Sequence, residues 1–252
     1  MAFKEPDGMP TNLNEQKDVF EFYSIFMDKI EEQTKKTTYE HLVKNHFGGT
    51  VTREIICRGC PHSYEREEPF LAINLEVKNK KHIVEGLTSY VEGETLDGDN
   101  AYLCEKCNMK VKATMRTSVR KLPKYLMLVL KRFEFDFERG IKLKINEFCE
   151  FPLELDMHPF TYQAFHKQKK QQDASQLASS QSMTFKDHER ESSKYSLRGV
   201  IIHVGVADSG HYYSLIKDKK DGEDRWLEFN DRLVTNFSIN KLPNVAFGTK
   251  EG

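Results

Sequence analysis

The sequence predicts an α+β protein in which helices near the N-terminus precede a series of β-strands. The segment EQKDVFEFYSIFMDKIEEQTKK predicts a helix with Asn14 as its N-cap, because its apolar residues recur at helical spacing. We expect these apolar residues to form a core stripe: Val19, Phe22, Tyr23, Phe26 and Ile30. Strand-like runs follow, among them KYLMLVLKRFEF, which is typical of one buried central strand, and SLRGVIIHVGVAD.

The composition is that of a water-soluble protein with a balanced charge. The 252 residues include 38 Lys and Arg against 39 Asp and Glu, so no net field favours nucleic acid or a membrane surface. The first residues, MAFKEPDGMP, lack the apolar stretch of a signal peptide, and the longest apolar run, YLMLVL, is too short to cross a bilayer. We therefore expect an intracellular protein, cytoplasmic or nuclear, with neither nucleic acid nor a membrane as a partner.

A β-hairpin is predicted in the segment SGHYYSLIKDKKDGEDRWLEFND, with a turn at Asp221 and Gly222. If these two residues form the loop, Asn230 faces Tyr213 and lies diagonally next to His211 on the same face. A loop longer by two residues puts His211 opposite Asn230, and an odd loop presents Asp231 instead. In each register an oxygen can orient the imidazole, as a base requires in nucleophilic catalysis. An exposed hairpin with a polar rim is the alternative.

Four of the five cysteines form two CxxC pairs. Cys57 and Cys60 lie in CRGC, and Cys104 and Cys107 lie in CEKC. Four thiolates are the number that a tetrahedral structural Zn²⁺ needs. A redox CxxC motif or two disulfides are the alternatives; a redox motif needs no second copy, and a reducing compartment disfavours disulfides. The intervening residues predict a strand in FLAINLEV and a helix in HIVEGLTSYVEG.

The fifth cysteine, Cys149, lies in the strand-like run NEFCEFPLELD. Neither a helix N-terminus nor a glycine turn that would lower the pKa of its thiol is evident there. We therefore interpret Cys149 as a small buried apolar residue and not as a nucleophile.

Four ordered stretches give the chain a resemblance to the ubiquitin-specific proteases, which are papain-like cysteine proteases. QKDVFEF resembles the Gln-Gln-Asp element, with Lys17 in place of the second glutamine. The two CxxC pairs are similar to the zinc-binding fingers, and KLPKYLMLVLKRFEFD is similar to a palm strand. SGHYYSLIK with WLEFND resembles the histidine box and its Asn/Asp partner, and CPHSYEREEPFLAINLEV resembles the large multi-domain branch. The resemblance implies N-terminal helices, an antiparallel palm sheet and zinc-binding β fingers.

The resemblance also implies catalytic roles. His211 would be the general base, Asn230 would orient its ring, and Asp231 is the neighbouring candidate for that role or for polarising a water. The implied partners are ubiquitin and ubiquitinated proteins, cleaved after the C-terminal glycine of ubiquitin.

Three further residues are implied to contact the ubiquitin tail. Asp18 would face the arginines of the tail, although an acid in the first turn of a helix also complements the helix dipole. Gly210 would let the backbone approach the channel for the tail, and Tyr212 would pack on it, with strand core as the alternative for Tyr212.

One element of the family pattern, the cysteine box similar to GNTCYMN that supplies the nucleophile, is not found in the sequence. We therefore expect a partial catalytic domain that is inactive alone, and a catalytically silent ubiquitin-binding or scaffold module is the alternative.

The domain organisation follows from the same motifs. Residues 1–50 are interpreted as the remnant of the thumb with its helix, 51–120 as the zinc-binding fingers, and 121–165 with 195–252 as the palm. Residues 166–194 are rich in Gln, Ser and Lys and poor in apolar groups, which predicts a disordered insertion.

Overall fold

A computed structural model describes residues 8–9, 18–164 and 193–249. The chain forms two compact units. The first takes in Met1–His46, Arg132–Asn146 and Gly199–Ala246, and the second takes in Phe47–Lys131, Glu147–Arg198 and Phe247–Gly252. Among the described residues, the helices are too short or too polar to cross a membrane.

Short helices and many short strands make up the described part of the chain. The helices are α1 (Val19–Thr34), α2 (Leu42–His46), α3 (Ile83–Glu92) and α4 (Leu242–Ala246). The strands are β1 (Gly49–Cys57), β2 (Ser63–Phe70), β3 (Ile73–Glu76), β4 (Glu94–Leu96), β5 (Tyr102–Cys104), β6 (Met109–Val111), β7 (Ala113–Lys121), β8 (Leu128–Lys131), β9 (Phe133–Asp136), β10 (Ile141–Lys144), β11 (Glu154–Asp156), β12 (Lys194–Ser196), β13 (Gly199–Val206), β14 (Ser209–Lys220), β15 (Glu223–Asn230) and β16 (Leu233–Phe237).

The first unit is built on an antiparallel sheet in the order β13-β14-β15-β16. Strands β14 and β15 are joined by a two-residue loop in which Asp221 has φ 53° and Gly222 has φ 89°. Positive φ at both loop positions is the backbone of a type I′ turn, which matches the twist of the flanking strands. Lys220 pairs with Glu223, so the predicted hairpin with its two-residue loop is confirmed.

The prediction of a single strand in KYLMLVLKRFEF is wrong, because the strand is interrupted at Arg132. Strand β8 pairs in parallel with β3, whereas β9 pairs with β10 in a separate ribbon. The physical reason lies in Arg132, whose carbonyl accepts a hydrogen bond from the Ile145 N–H and whose guanidinium donates to the Ile145 carbonyl. Arg132 thus pairs with Ile145, and the ladder between β8 and β3 ends at Lys131. The residues of β8 are half-buried or exposed and not fully buried.

Helix α1 is capped by Asp18, whose carboxylate accepts from the N–H groups of Phe20 and Glu21. The predicted cap Asn14 lies outside the described residues. The predicted core stripe is wrong for Phe22 and Phe26, which stack on each other and are 50% and 42% exposed. The other three stripe residues are half-buried, and the buried residue of the helix is Met27.

The second unit contains an antiparallel sheet in the order β2-β1-β7-β4. The strand and the helix predicted between the two cysteine pairs are confirmed as β3 and α3. Helix α3 is capped by His82 and buries Leu87 completely, as β3 does Leu75. Gly93 follows the helix with φ 78°, and a Cβ atom there would lie 2.1 Å from the Met115 carbonyl oxygen, so only glycine fits at this position.

Most of the predicted insertion, residues 166–194, lies outside the described residues. Its last two residues are described: Ser193 is buried, and Lys194 begins β12. The Ser193 hydroxyl donates to the Asp156 carboxylate, which joins this end of the insertion to β11.

A buried ion pair joins β1 to β7 in the second unit. Glu54 and Arg116 are directly opposite in the register, and the guanidinium donates two hydrogen bonds to the carboxylate, at 2.8 and 3.2 Å. Both side chains are nearly inaccessible, at 8% and 12% exposure. Since both charges are largely removed from water, the pair stabilises each of them.

We expect Glu54→Ala to destabilise the second unit by about 3 kcal/mol, because it leaves the Arg116 charge buried without its carboxylate. Denaturant unfolding measures the change. The matched control is Glu67→Ala, which removes a half-exposed carboxylate from its pair with Arg120 and is expected to change stability by less than about 1 kcal/mol. Equal effects of the two substitutions would contradict the assignment.

Candidate functional site

The candidate active site is the contact between His211 on β14 and Asn230 at the end of β15. His211 Nε2 lies 2.7 Å from Asn230 Oδ1, across the hairpin. An amide oxygen only accepts hydrogen bonds, so Nε2 carries the proton and donates it. Nδ1 is then the ring nitrogen with a lone pair that can take a proton, which is the state that a general base needs.

The neighbours of Asn230 support this assignment of its amide. Asn230 Nδ2 donates to a Glu228 carboxylate oxygen at 3.5 Å, which leaves Oδ1 directed at the ring. Asp231 Oδ2 lies 4.0 Å from His211 Nε2, and the Asp231 side chain is 78% exposed. Asn230 is therefore the residue in hydrogen-bond contact with the imidazole, and Asp231 is a solvated neighbour.

Glycine is required at position 210, immediately before His211, because of close contacts with the neighbouring strand β13. A Cβ atom at this position would lie 2.2 Å from the Val204 carbonyl oxygen and 2.4 Å from His203 Nε2. The side chain is thus excluded by the neighbouring strand β13. The predicted role of Gly210 in a channel for the ubiquitin tail stays a prediction.

Tyr212 contacts the start of helix α1. Its hydroxyl accepts a hydrogen bond from the Val19 backbone N–H, and burial followed by the nearby Asp18 carboxylate raises the pKa of this phenol. Val19 begins the helix, so Tyr212 caps an N–H group that has no partner within the helix. Two residues predicted to bind the same ligand, Asp18 and Tyr212, are therefore neighbours.

His203 lies behind Tyr212 on the neighbouring strand β13. Its ring packs at 4.7 Å from the Tyr212 ring and at 5.2 Å, edge to face, from the Phe133 ring. Burial, and then the Lys144 ammonium, lowers the pKa of His203. These contacts pack the His203 ring into the sheet.

A second candidate site is a cluster of cysteines and one histidine in the fingers. The ligand atoms of Cys60, His62, Cys104 and Cys107 all lie within 4.8 Å of one another. The sulfur atoms of Cys60 and Cys104 are 3.7 Å apart. Thiolates on one tetrahedral zinc lie about 3.8 Å apart, as follows from a Zn–S bond of about 2.3 Å. The cluster therefore fits a zinc ion.

Cys57 lies beside this cluster. The Cys57 thiol is buried and hydrogen-bonds with Cys60 and Cys104, and burial raises its pKa to about 12. Cys104 has the opposite shift: the Cys107 backbone N–H and the His62 ring stabilise its thiolate and lower the pKa to about 6. The structure thus brings all four predicted cysteines together.

His62 is the member of the cluster that the cysteine spacing did not predict. Its Nδ1 lies 3.1 Å from Cys107 Sγ and 3.5 Å from Cys104 Sγ. The available signal was its position two residues after the second cysteine of CRGC, because histidine and cysteine are the usual ligands of structural zinc. Cys149, by contrast, is fully buried in the second unit.

Comparison with known proteins identifies relatives over most of the chain. The family model for ubiquitin carboxyl-terminal hydrolase matches residues 7–246. Ubiquitin carboxyl-terminal hydrolase 9X of Mus musculus is 39% identical over 249 residues, which is 96% of this chain and 10% of the relative. The probable ubiquitin carboxyl-terminal hydrolase FAF of Drosophila melanogaster is 37% identical, over 90% of this chain and 8% of the relative. The chain thus spans about a tenth of the length of these relatives.

Solved structures share the fold. The SAGA DUB module of Ubp8, Sgf11, Sus1 and Sgf73 bound to monoubiquitin matches with a TM-score of 0.71 and 27% identity, over 93% of this chain and 47% of the matched chain. The same module bound to ubiquitin aldehyde matches with a TM-score of 0.71 and 26% identity, over 93% and 48% of the two chains.

We expect Tyr212→Phe to accelerate hydrogen exchange at the Val19 amide, because the variant lacks the hydroxyl that accepts this N–H. The lost hydrogen bond is expected to lower the free energy of local opening by about 1 kcal/mol. Exchange measured by NMR tests this, with Tyr195→Phe as the matched control, since that hydroxyl donates to the Pro123 carbonyl in the other unit. An unchanged Val19 exchange rate in Tyr212→Phe would contradict the cap.

Proposed function

Because the chain belongs to the ubiquitin carboxyl-terminal hydrolase family, we propose that it supplies the base of a thiol-dependent deubiquitinase that cleaves after the C-terminal glycine of ubiquitin. The observation that carries this proposal is the 2.7 Å hydrogen bond from His211 to Asn230. It is supported by the likeness to DUB modules solved with monoubiquitin and with ubiquitin aldehyde. The proposed substrates are ubiquitinated proteins.

In the proposed reaction, His211 Nδ1 takes the proton of the attacking thiol and later gives it to the leaving amine. Asn230 accepts from Nε2–H throughout, so that the ring keeps the tautomer with a free Nδ1. A neutral amide suffices for this role because it acts by orienting the ring. Asp231, whose carboxylate lies 4.0 Å from Nε2, is the neighbouring candidate for the orienting role or for polarising a water.

We assign substrate binding to the residues around the start of α1. The Asp18 carboxylate is exposed and would pair with the arginines of the ubiquitin tail. Tyr212 holds the first N–H of the helix and so places Asp18. Gly210 borders the same stretch of β14 and would form part of the channel.

The attacking thiolate is proposed to come from a part of the protein outside this chain. Cys149 is fully buried, and the other four cysteines face one another in the fingers. None of these five thiols suits attack on a protein substrate, which requires an accessible thiolate. We therefore propose that the chain alone binds ubiquitin without cleaving it, and the same burial of Cys149 favours the second candidate function, a ubiquitin-binding or scaffold module.

A structural zinc is proposed for the fingers. Cys60, Cys104 and Cys107 would supply three thiolates, and the fourth ligand is Cys57 in the sequence prediction and His62 in the observed cluster. Four protein ligands leave no coordination site for water, so the ion would hold the two cysteine pairs together without taking part in hydrolysis. The five cysteines, all within the described residues, form no disulfide, in agreement with the proposed reducing compartment, the cytoplasm or nucleus.

In the full-length parent protein we expect His211→Ala to lower kcat by about 10²- to 10⁴-fold, the range that a general base contributes. Hydrolysis of a fluorogenic C-terminal ubiquitin amide measures kcat, and calorimetry measures ubiquitin affinity, which is expected to be retained. The control is His41→Ala, an exposed histidine, which is expected to leave both quantities unchanged.

Full activity of His211→Ala would contradict the proposed base. A separate outcome tests the nucleophile: a ubiquitin probe with a C-terminal electrophile is expected not to label this chain. Labelling of Cys149 would overturn the assignment of the nucleophile to another segment.

Removal of the metal is expected to unfold the fingers, because the cysteine pairs on β1 and β5 would lose their link. Chelation followed by circular dichroism measures the loss, and added Zn²⁺ is expected to reverse it. Cobalt substitution then identifies the fourth ligand: the sulfur-to-Co²⁺ absorption falls in Cys57→Ala if Cys57 binds, and the d–d bands shift in His62→Ala if His62 binds. Absence of bound metal in the intact protein would contradict the site.

A further inference from the structure

We infer that Lys144 is a positioning residue for His211. It acts through β13, the edge strand that pairs with β14, on which His211 lies. This inference rests on the proposed function, since it assigns a role to Lys144 only if His211 is the base. Lys144 lies at the end of β10, in a ribbon outside the sheet that carries the candidate active site.

The Lys144 ammonium donates two hydrogen bonds to the backbone of β13. Its Nζ lies 2.9 Å from the His203 carbonyl oxygen and 3.0 Å from the Gly205 carbonyl oxygen. These two residues flank Val204, which is the direct partner of His211 in the register of β13 and β14. Lys144 therefore holds the backbone on both sides of the residue that faces His211.

The direction of the carbonyl groups explains how one side chain reaches both His203 and Gly205. The Val204 carbonyl points toward β14, since a Cβ atom on Gly210 would meet its oxygen at 2.2 Å. The carbonyls of His203 and Gly205 alternate with it and point to the outer side of β13, which is the edge strand of the sheet. On this side of the strand, the Lys144 ammonium donates to both carbonyl oxygens.

The ribbon of β9 and β10 makes a second contact with β13, through the ring of Phe133. Phe133 on β9 is the direct partner of Lys144 in the ribbon, and its ring packs edge to face on the His203 ring. The His203 ring in turn lies over Gly210, as the 2.4 Å approach to an added Cβ atom shows. The ribbon thus reaches the residue before His211 by a ring contact and the residues around Val204 by hydrogen bonds.

The turn end of the β13–β14 pair has little rigidity of its own. Gly205 and Gly210 are paired across β13 and β14, so neither offers a side chain to pack against the other strand. Gly205 also has φ 108°, and paired glycines leave this stretch of backbone with many accessible conformations. External hydrogen bonds at His203 and Gly205 restrict those conformations and so restrict His211.

Lys142 provides the comparison within the same strand. Its ammonium lies 3.9 Å from the carboxylate of Asp208, which is in the turn between β13 and β14, and the Lys142 side chain is 64% exposed. An exposed pair at this distance contributes little to positioning. Lys144, by contrast, is sufficiently buried that burial, and then Arg132, lowers the pKa of its ammonium.

The experiment compares three variants of the full-length parent protein. We expect Lys144→Met to lower kcat by about 10- to 100-fold while KM and ubiquitin affinity stay within about twofold, because a small displacement of the base affects the chemical step most. Lys142→Met is expected to leave kcat and KM unchanged. Lys144→Arg is expected to restore most of kcat, since a guanidinium can also donate to two carbonyl oxygens.

Two readouts separate positioning from a structural role. The NMR signals of the His211 ring are expected to broaden or shift in Lys144→Met and to keep the wild-type values in Lys142→Met. A lower melting temperature with unchanged kcat and unchanged His211 signals would overturn the inference.

If Lys144→Met does not fold, Lys144→Gln is measured instead. Its side chain is one atom shorter than that of lysine, so we expect it to reach at most one of the two carbonyl oxygens and to lower kcat. A wild-type kcat in that variant overturns the inference. Full activity of His211→Ala would defeat the proposed function itself, whereas an inactive His211→Ala with a fully active Lys144→Met would defeat the inference alone.

Discussion

The left-handed backbone at Asp221 and Gly222 is the constraint on which the candidate active site depends. These two residues alone form the loop between β14 and β15, so the pairing of every residue in the hairpin follows from them. That pairing puts His211 and Asn230 on one face of the sheet and lets Nε2 reach Oδ1 at 2.7 Å. A shift of one residue would move the whole set of side chains of one strand to the other face and would abolish the contact.

The turn sets which residues meet, and other elements set where the histidine strand lies. On one side the Tyr212 hydroxyl holds the start of α1, which places the exposed Asp18 carboxylate near the strand that carries the base. At the sheet edge Lys144 holds the carbonyls of His203 and Gly205. A base that has to transfer a proton needs this kind of support from outside its own strand, because the paired Gly205 and Gly210 beside it offer no side chains that pack across β13 and β14.

The stability of the fingers depends on the pairing of buried polar groups with one another. Glu54 and Arg116 satisfy each other between β1 and β7, and the thiols of the two cysteine pairs converge with His62. The cysteine spacing was sufficient to predict the convergence of the pairs. It was not sufficient to include His62, because the histidine reaches Cys107 across 45 positions in the chain.

The sequence by itself determined the features that depend on near neighbours: the Asp-Gly turn, the two cysteine pairs, and the strand and helix between them. Only the tertiary structure decided the features that depend on residues far apart. Arg132 ends a strand that the sequence predicts to continue, because it bonds to Ile145. Phe22 is exposed although it lies in an apolar helical stripe, since periodicity identifies an apolar face but not what covers it. Lys144 contacts His203 on β13 from 59 positions away, and local patterns carry no information about such a contact.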